Sequence, residues 1–518
     1  MSRSPLFSAL RRAIKNITLK NVNDDVQDRA RVRVDTGKLT RRGFLAGAGT
    51  LAIGCAAAPV VRAHQPKIVI VGAGLAGLTA AFELQKNGLH AQLYEGSKRT
   101  GGRVFTARDL FFPGYATELG GEFIDSNHED LLNLCDELDL EYYDLQTDDA
   151  ALAKEVYFFE GKHYLQKHLA EELKPFAERL QNDADLCTAD ESRDPAGQRA
   201  AFDRMSISEY LTFVGVGGWL RELLDVAFLV EYGAEPGEQS ALNFILLFDR
   251  DDDEDAVELY GESDERYKIR GGNARVTEEL MKKIRNPVRT SHRLLAVEPA
   301  GHRYQLTFDT PARANVVETA DFVILAIPIR MLRDVDLRVD LPKLQMDAIH
   351  EIGYGMSTKL LFGYEDRVWR KLGYSGNIYT DESLQCGWDH ARLQQINSNA
   401  SERGHFTYML GGAASAAAGA LSASHNAQFH AAGFARAFPR GNANVHLKCS
   451  MFHWPSYEFS RGGYSYYRPG HDTRFGGIEA RPFQQIFFAG EHCSREFQGF
   501  MNGAVQTGKT AARNIIEA

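Results

Sequence analysis

The chain has 518 residues, 44% of them hydrophobic, and a formal net charge of −10. At this length one hydrophobic core normally divides, so two domains are expected. The acidic balance, with no arginine-rich tract in the body of the chain, argues against a nucleic-acid partner and mildly favours cationic small molecules.

The first 63 residues read as a leader set apart from the fold. Thr40-Arg41-Arg42-Gly43-Phe44-Leu45 is a twin-arginine pattern, followed by an Ala/Gly-rich apolar stretch from Phe44 to Val61 and a small-residue site ending at Ala63. This predicts export by the Tat machinery as a folded protein, hence a periplasmic or secreted location. A membrane anchor formed by the same stretch, or lipidation at Cys55, are the alternatives. The polar segment Met1 to Leu39 receives no role. Cleavage after Ala63 leaves five cysteines, with no CxxC pair and no His/Cys spacing that predicts a metal site.

Ile68-Val-Ile-Val-Gly-Ala-Gly-Leu-Ala-Gly77 is a β-branched run entering a glycine turn, and the helix-forming stretch Leu75 to Asn87 follows it. Gly72 permits the turn, Gly74 lets backbone approach a pyrophosphate, and Gly77 lets helix and sheet pack closely. The helix start, at Leu75 and Ala76, offers free N–H groups to an anion. A second strand, Ala91 to Tyr94, ends in Glu95, 18 residues beyond Gly77, where a carboxylate can bind ribose hydroxyls. Directly after it, Glu95-Gly96-Ser-Lys-Arg-Thr-Gly-Gly-Arg103 adds glycines and arginines suited to a diphosphate.

These two boxes together resemble the flavin-containing amine oxidase family, relatives of monoamine oxidase, polyamine oxidase and the flavin-dependent histone demethylases. The resemblance runs from about Lys67 to Ala512. It implies an α/β fold in which a Rossmann-like FAD-binding domain is interleaved with a discontinuous α+β substrate domain. Domain boundaries are placed at 64–128, 265–345 and 469–518 for the FAD domain, and at 129–264 and 346–468 for the substrate domain.

Further motifs follow in chain order. Glu118-Leu-Gly120-Gly121-Glu122-Phe123 resembles the family segment beside the flavin ring. The stretch from Glu129 to Leu223 reads as mostly helical, with amphipathic spacing at Leu131, Leu134 and Leu138. Asp249-Arg-Asp-Asp-Asp-Glu-Asp255 is read as a solvated loop rather than a cation-attracting lip. Tyr267 to Asn273, with a helical run from Val276 to Ile284, resembles the return to the cofactor domain, and Leu294 is grouped with the cofactor set. Phe322-Val-Ile-Leu-Ala-Ile-Pro328 reads as a buried parallel strand.

In Gly353-Tyr-Gly-Met-Ser-Thr-Lys359-Leu-Leu-Phe362 the resemblance assigns Lys359 to hold a water against flavin N5; the alternative is an exposed strand lysine. Trp454 and Tyr464, ten residues apart, resemble two walls of an aromatic substrate pocket, or else are packed core rings. Gly463 stands where mammalian-type monoamine oxidases have a flavin-linking cysteine, so noncovalent FAD is expected. The C-terminal Ile486-Phe-Phe-Ala-Gly490-Glu491 and the helix from about Met501 to Ile516 contribute Glu491, Met501 and Ala504 to the cofactor set. Phe500 replaces the family's second cage tyrosine.

The expected activity is therefore FAD-dependent oxidative deamination of an amine, with oxygen or another acceptor reoxidising the flavin; a homodimer is left open. Three rivals stand beside it. An L-amino-acid oxidase would need an arginine to clamp the carboxylate, from Arg250, Arg367 or Arg392. A desaturase-type flavoenzyme would lack the Lys359, Trp454 and Tyr464 set. A non-catalytic flavin-binding module is the third.

Overall fold

Four parallel strands lie beneath the glycine turn, in the order Ala91–Tyr94, Ile68–Val71, Phe322–Leu325 and Ile486–Phe488. The computed structural model describes residues 65–188, 197–248, 263–312, 314–394, 403–439 and 448–518. The leader and the acidic run 249–255 lie outside the described residues.

The strand Ile68–Val71 shows why a continuous apolar run is needed there. Ile68 and Ile70 enter one core, with the helices Leu75–Lys86, Ala274–Lys283 and Met501–Ile516. Val69 and Val71 enter another, beside the antiparallel strands Arg293–Ala300 and Arg303–Asp309. Successive side chains point to opposite faces, and both faces are covered. Each fully buried Val or Ile contributes about 1.5–3 kcal/mol.

The first helix and the last touch at backbone distance. A Cβ on Gly508 would come within 2.4 Å of the Ala76 carbonyl oxygen, so only glycine lets Met501–Ile516 lie this close to Leu75–Lys86. That contact brings the C-terminal helix start to the glycine turn.

A seven-stranded mixed sheet forms the other half of the molecule, in the order Lys448–His453, Ser357–Tyr364, Gly404–Gly411, Cys386–Asp389, Tyr374–Thr380, Ala153–Phe159 and Lys162–Tyr164. One face carries a helical layer that includes Gly218–Tyr232, and the other carries the helix Ala423–Ala437. The mostly helical reading of 129–223 needs correction, since strands Tyr142–Asp144, Ala153–Phe159 and Lys162–Tyr164 interrupt it. The run Val156-Tyr-Phe-Phe159 is β-branched and aromatic, and all four residues are buried in the sheet.

Candidate active site

The two halves meet at two adjoining cavities. The larger is a cleft enclosing about 1260 Å³ of empty space, its open mouth included. The glycine turn gives it Gly72, Gly74, Leu75 and Ala76, and the end of the second strand gives Glu95 and Gly96. Arg103, Gly121 and Leu294 line its middle. Gly490, Glu491, Phe500, Met501 and Ala504 close the far end, with Tyr464 beside them.

The glycine turn is built for close approach. Gly72 has φ +104°, and a Cβ there would lie 2.4 Å from the Ala326 carbonyl oxygen, so geometry and space both require glycine. Gly77 does not line the cleft. A Cβ on it would sit 2.0 Å from the Gly72 carbonyl oxygen, so its part is to pack helix against turn. Gly74 is different, because a Cβ there meets only Gly102 Cα, at 3.9 Å, and would project into open space at the turn. The helix starts at Gly74 without a side-chain cap, so its first-turn N–H groups remain available to a ligand.

The cleft carries charge at both ends. The Glu95 carboxylate accepts from Ala73 N at 2.9 Å and Ser97 N at 2.8 Å, which holds it at the cleft wall. Glu491 accepts from Arg103 Nη1 at 2.7 Å, Ser465 Oγ at 2.8 Å and Gly499 N at 2.9 Å. Burial alone would raise its pKa; the Arg103 guanidinium wins and holds the carboxyl below its usual range. Among the described residues no cysteine lines the cleft, and Gly463 forms part of its wall.

The second cavity, about 580 Å³ of empty space with its opening included, lies against the long strand Ser357–Tyr364. Lys359, Gly120, Glu122 and Phe123 line it, with Tyr379, Trp388 and Met409 opposite. Gly120, Glu122 and Phe123 therefore face this cavity and not the cleft in which the sequence motif set them; Gly121 alone of that quartet lines the cleft. Alternation along an extended segment turns Gly120 and Glu122 away from Gly121, whereas Phe123 lies on the same side as Glu122.

Lys359 is 2% exposed, not a surface lysine. Its ammonium donates to the Glu118 carbonyl at 3.1 Å, the Gly120 carbonyl at 2.9 Å and Glu122 Oε2 at 2.8 Å. These three bonds use its full donor capacity. A water-holding role thus requires one of them to be given up, and in this arrangement Lys359 clamps the wall between the cavities. The other Glu122 oxygen accepts from Lys268 Nζ at 2.8 Å and Trp388 Nε1 at 2.9 Å. Burial pushes the Glu122 carboxyl up, but the two ammoniums outweigh it and keep its pKa low.

Tyr464 lines both cavities, and its hydroxyl donates to the Glu231 carbonyl. Trp454 lines neither. Its indole N–H donates to the Leu119 carbonyl at 2.9 Å, and its ring packs edge-on to Phe452 and Tyr457. It supports the 118–123 segment from behind. A ten-residue spacing cannot tell which way the intervening turn, Trp454–Ser456, faces.

Among the described residues no arginine lines the second cavity. Arg367 is 3.5 Å from Asp389 and donates to the Arg403 and Ala391 carbonyls, while Arg392 pairs with Asp148 at 3.0 Å. Arg250 lies outside the described residues. Sequence reasoning missed Lys268, Trp388, Glu231 and Glu265, all of which border Glu122 or the cavity. Lys268 sits inside the quoted Tyr267–Asn273 motif, and a lysine in a buried strand was the available signal.

A glycine-turn cleft joined to an aromatic chamber containing a buried lysine defines a flavoprotein oxidoreductase. The family model for flavin-containing amine oxidoreductases matches residues 75–516. Curated relatives include the flavin-containing amine oxidase of Danio rerio, 24% identical over 467 residues, covering 88% of this chain and 86% of the relative. The flavin-containing amine oxidase B of Homo sapiens is 23% identical over 480 residues, covering 87% and 86%. Among solved structures, putrescine oxidase bound to putrescine aligns with TM-score 0.73 at 22% identity, covering 88% of this chain and 100% of that one. Cyclohexylamine oxidase from Brevibacterium oxydans IH-35A aligns with TM-score 0.73 at 21% identity, covering 88% and 99%. This chain belongs to the flavin-containing amine oxidoreductase family, FAD-dependent enzymes that oxidise amines.

The residues present fit FAD. The uncapped helix start and Gly74 suit the pyrophosphate, Glu95 the ribose hydroxyls, and the Gly490–Met501 end the ring system.

Proposed function

We propose that the second cavity is the amine chamber and that the substrate is oxidised at its α-carbon, the product imine then hydrolysing to an aldehyde or ketone. One observation carries this reading: Tyr464 is a wall of both cavities, so a molecule in the second touches the ring that borders the cofactor cleft. The chemistry FAD supplies there is acceptance of two electrons from the α-carbon. The chain supplies position. Tyr464 and Phe500 present aromatic walls on the cofactor side, and Lys359 and Trp454 fix the 118–123 segment between the cavities. Phe123, Tyr379 and Trp388 line the second cavity with rings that displace water from around a bound amine.

An α-amino acid is disfavoured, because no described arginine faces this cavity to receive its carboxylate. Oxygen is the proposed electron acceptor. The twin-arginine leader supports export of the flavin-loaded protein to the periplasm or beyond.

Anaerobic mixing of the yellow protein with primary amines, polyamines and L-amino acids tests the reading. Bleaching of the oxidised-flavin absorbance by an amine is expected, with colour returning on admission of oxygen and hydrogen peroxide formed. Bleaching by L-amino acids alone would reverse the assignment.

A further inference from the structure

Every backbone carbonyl from Glu118 to Glu122 is met by a side chain from a distant part of the chain. Lys359 Nζ donates to Glu118 at 3.1 Å and Gly120 at 2.9 Å, and Trp454 Nε1 donates to Leu119 at 2.9 Å. Gly121 and Glu122 both fall to one residue. Asn273 Nδ2 donates to their carbonyls at 3.1 and 2.6 Å.

The place of Asn273 in its own helix does not account for these bonds. It is the N-cap of Ala274–Lys283, where an asparagine side chain ordinarily accepts from the first turn, and it makes no such bond. Thr106 Oγ1 meets the helix start instead, accepting from Ala274 N at 2.9 Å. The preceding turn brings Asn273 in close. Gly272 has φ +100°, and a Cβ on it would lie 2.3 Å from Thr106 Cγ2, so a larger residue would hold the turn off. Asn273 is 0% exposed; its Oδ1 accepts from Ile269 N at 3.0 Å, and its N–H donates to Glu118 Oε1 at 2.7 Å.

The Gly121 and Glu122 carbonyls belong to the rigid peptide units on either side of the Glu122 Cα. One amide group therefore fixes the backbone before and after Glu122. Gly121 lines the cleft, while Glu122 lines the chamber and gathers Lys359, Lys268 and Trp388 there. A rotation about the Glu122 Cα would move the cleft wall and this network together.

We propose that Asn273 is a positioning residue for the oxidation, acting through Glu122 to keep the wall between cofactor and amine in one register. This rests on the second cavity being the amine chamber. Lys359 holds that wall from the seven-stranded sheet, and Asn273 holds it from the helix packed beneath the glycine turn.

Asn273→Asp keeps the acceptor for Ile269 N and removes the donors to Gly121 and Glu122. Thr106→Val is its control. It loosens the same turn by removing the Ala274 N acceptor and the Glu118 donor, and it leaves both carbonyl bonds in place. The holoenzymes are compared by thermal melting, by the visible band of the oxidised flavin, and by anaerobic stopped-flow reduction with butylamine, benzylamine and butane-1,4-diamine. Both variants should melt below wild type. Asn273→Asp alone should alter the flavin band and cut the limiting reduction rate about tenfold or more, the order of loss that a small misplacement of reacting groups brings. Asn273→Ser, too short to reach both carbonyls and free of a new buried charge, should repeat that result. A flavin-filled Asn273 variant with wild-type rate and band overturns the inference, and so does equal slowing in Thr106→Val, which would make the effect a general loosening. If no amine bleaches the wild-type flavin, the chamber reading fails, and this inference with it, whatever the variants do.

Discussion

The Lys359 ammonium lies 2.8 Å from the Glu122 carboxylate, with both side chains 3% exposed. A buried pair of this kind contributes little to stability beyond its desolvation cost, yet removing one partner is expensive. Here the pair joins the strand Ser357–Tyr364 of the seven-stranded sheet to the segment that separates the two cavities.

Lys359→Met should therefore act through position. It strips a donor from the Glu118 and Gly120 carbonyls, at about 1–3 kcal/mol, while Glu122 keeps Lys268. Flavin reduction by an amine should slow roughly ten- to a hundredfold as the dividing wall shifts. Stopped-flow traces on protein with full flavin content check this; an unchanged rate would remove Lys359 from the positioning role.

Two opposed sets of buried groups set how stability depends on pH below about 7. Burial raises the Glu118 pKa to about 7, against its bonds from Asn273 N and Thr106 Oγ1 and the nearby Lys268 charge. The folded state holds that proton more tightly than the unfolded chain. Its contribution is complete below the unfolded carboxyl value and is lost as pH rises through about 7. Burial lowers His492 and His430 to about 4 and His405 to about 3, so their contribution is present above the ordinary histidine value and is lost as pH falls toward those numbers. The histidines outnumber Glu118, so thermal melts should rise from pH 4 to about 7 and then level off, and Glu118→Gln, which removes the opposing group, should steepen that rise; an unchanged slope would clear Glu118 of this role.

Two glycine variants separate folding from cofactor binding. Gly72→Ala strains a φ of +104° and meets the Ala326 carbonyl, so little soluble protein is expected. Gly74→Ala finds room in the protein but fills the space where a pyrophosphate would approach. It should give a folded, pale protein whose FAD affinity falls roughly tenfold or more, as titration would record. Wild-type affinity in Gly74→Ala would mean the pyrophosphate lies elsewhere.

Acid precipitation of the holoprotein should leave all the flavin in the supernatant. Gly463 offers no thiol and, among the described residues, no cysteine lines the cleft, so no described side chain there can form a thioether. A yellow pellet would show a covalent link.

Much of the cofactor cleft was legible because its residues act through local backbone geometry. Gly72, Gly74 and Glu95 stand within one strand–turn–helix–strand unit, where spacing alone decides what they face. The chamber was less legible. Glu231 and Glu265 are distant in sequence, and only the packing of the helix Gly218–Tyr232 against the seven-stranded sheet brings them together. Trp454 misled for the opposite reason, since its motif was apparent while the direction of its ring depended on Leu119, far away in the chain. The strand Ala153–Phe159 was hidden among amphipathic helices, because a short apolar aromatic run fits either structure.

The parallel sheet under the glycine turn has a temporal consequence. Its fourth strand, Ile486–Phe488, and the helix carrying Gly508 leave the ribosome long after Ile68–Val71 and Ala76, against which they pack. A nascent chain thus holds the pyrophosphate turn without the edge strand or the partner helix that complete it, and its apolar faces await cover until those segments emerge. A chain stopped before Ile486 therefore lacks the edge strand and the helix that finish its own nucleotide-binding core.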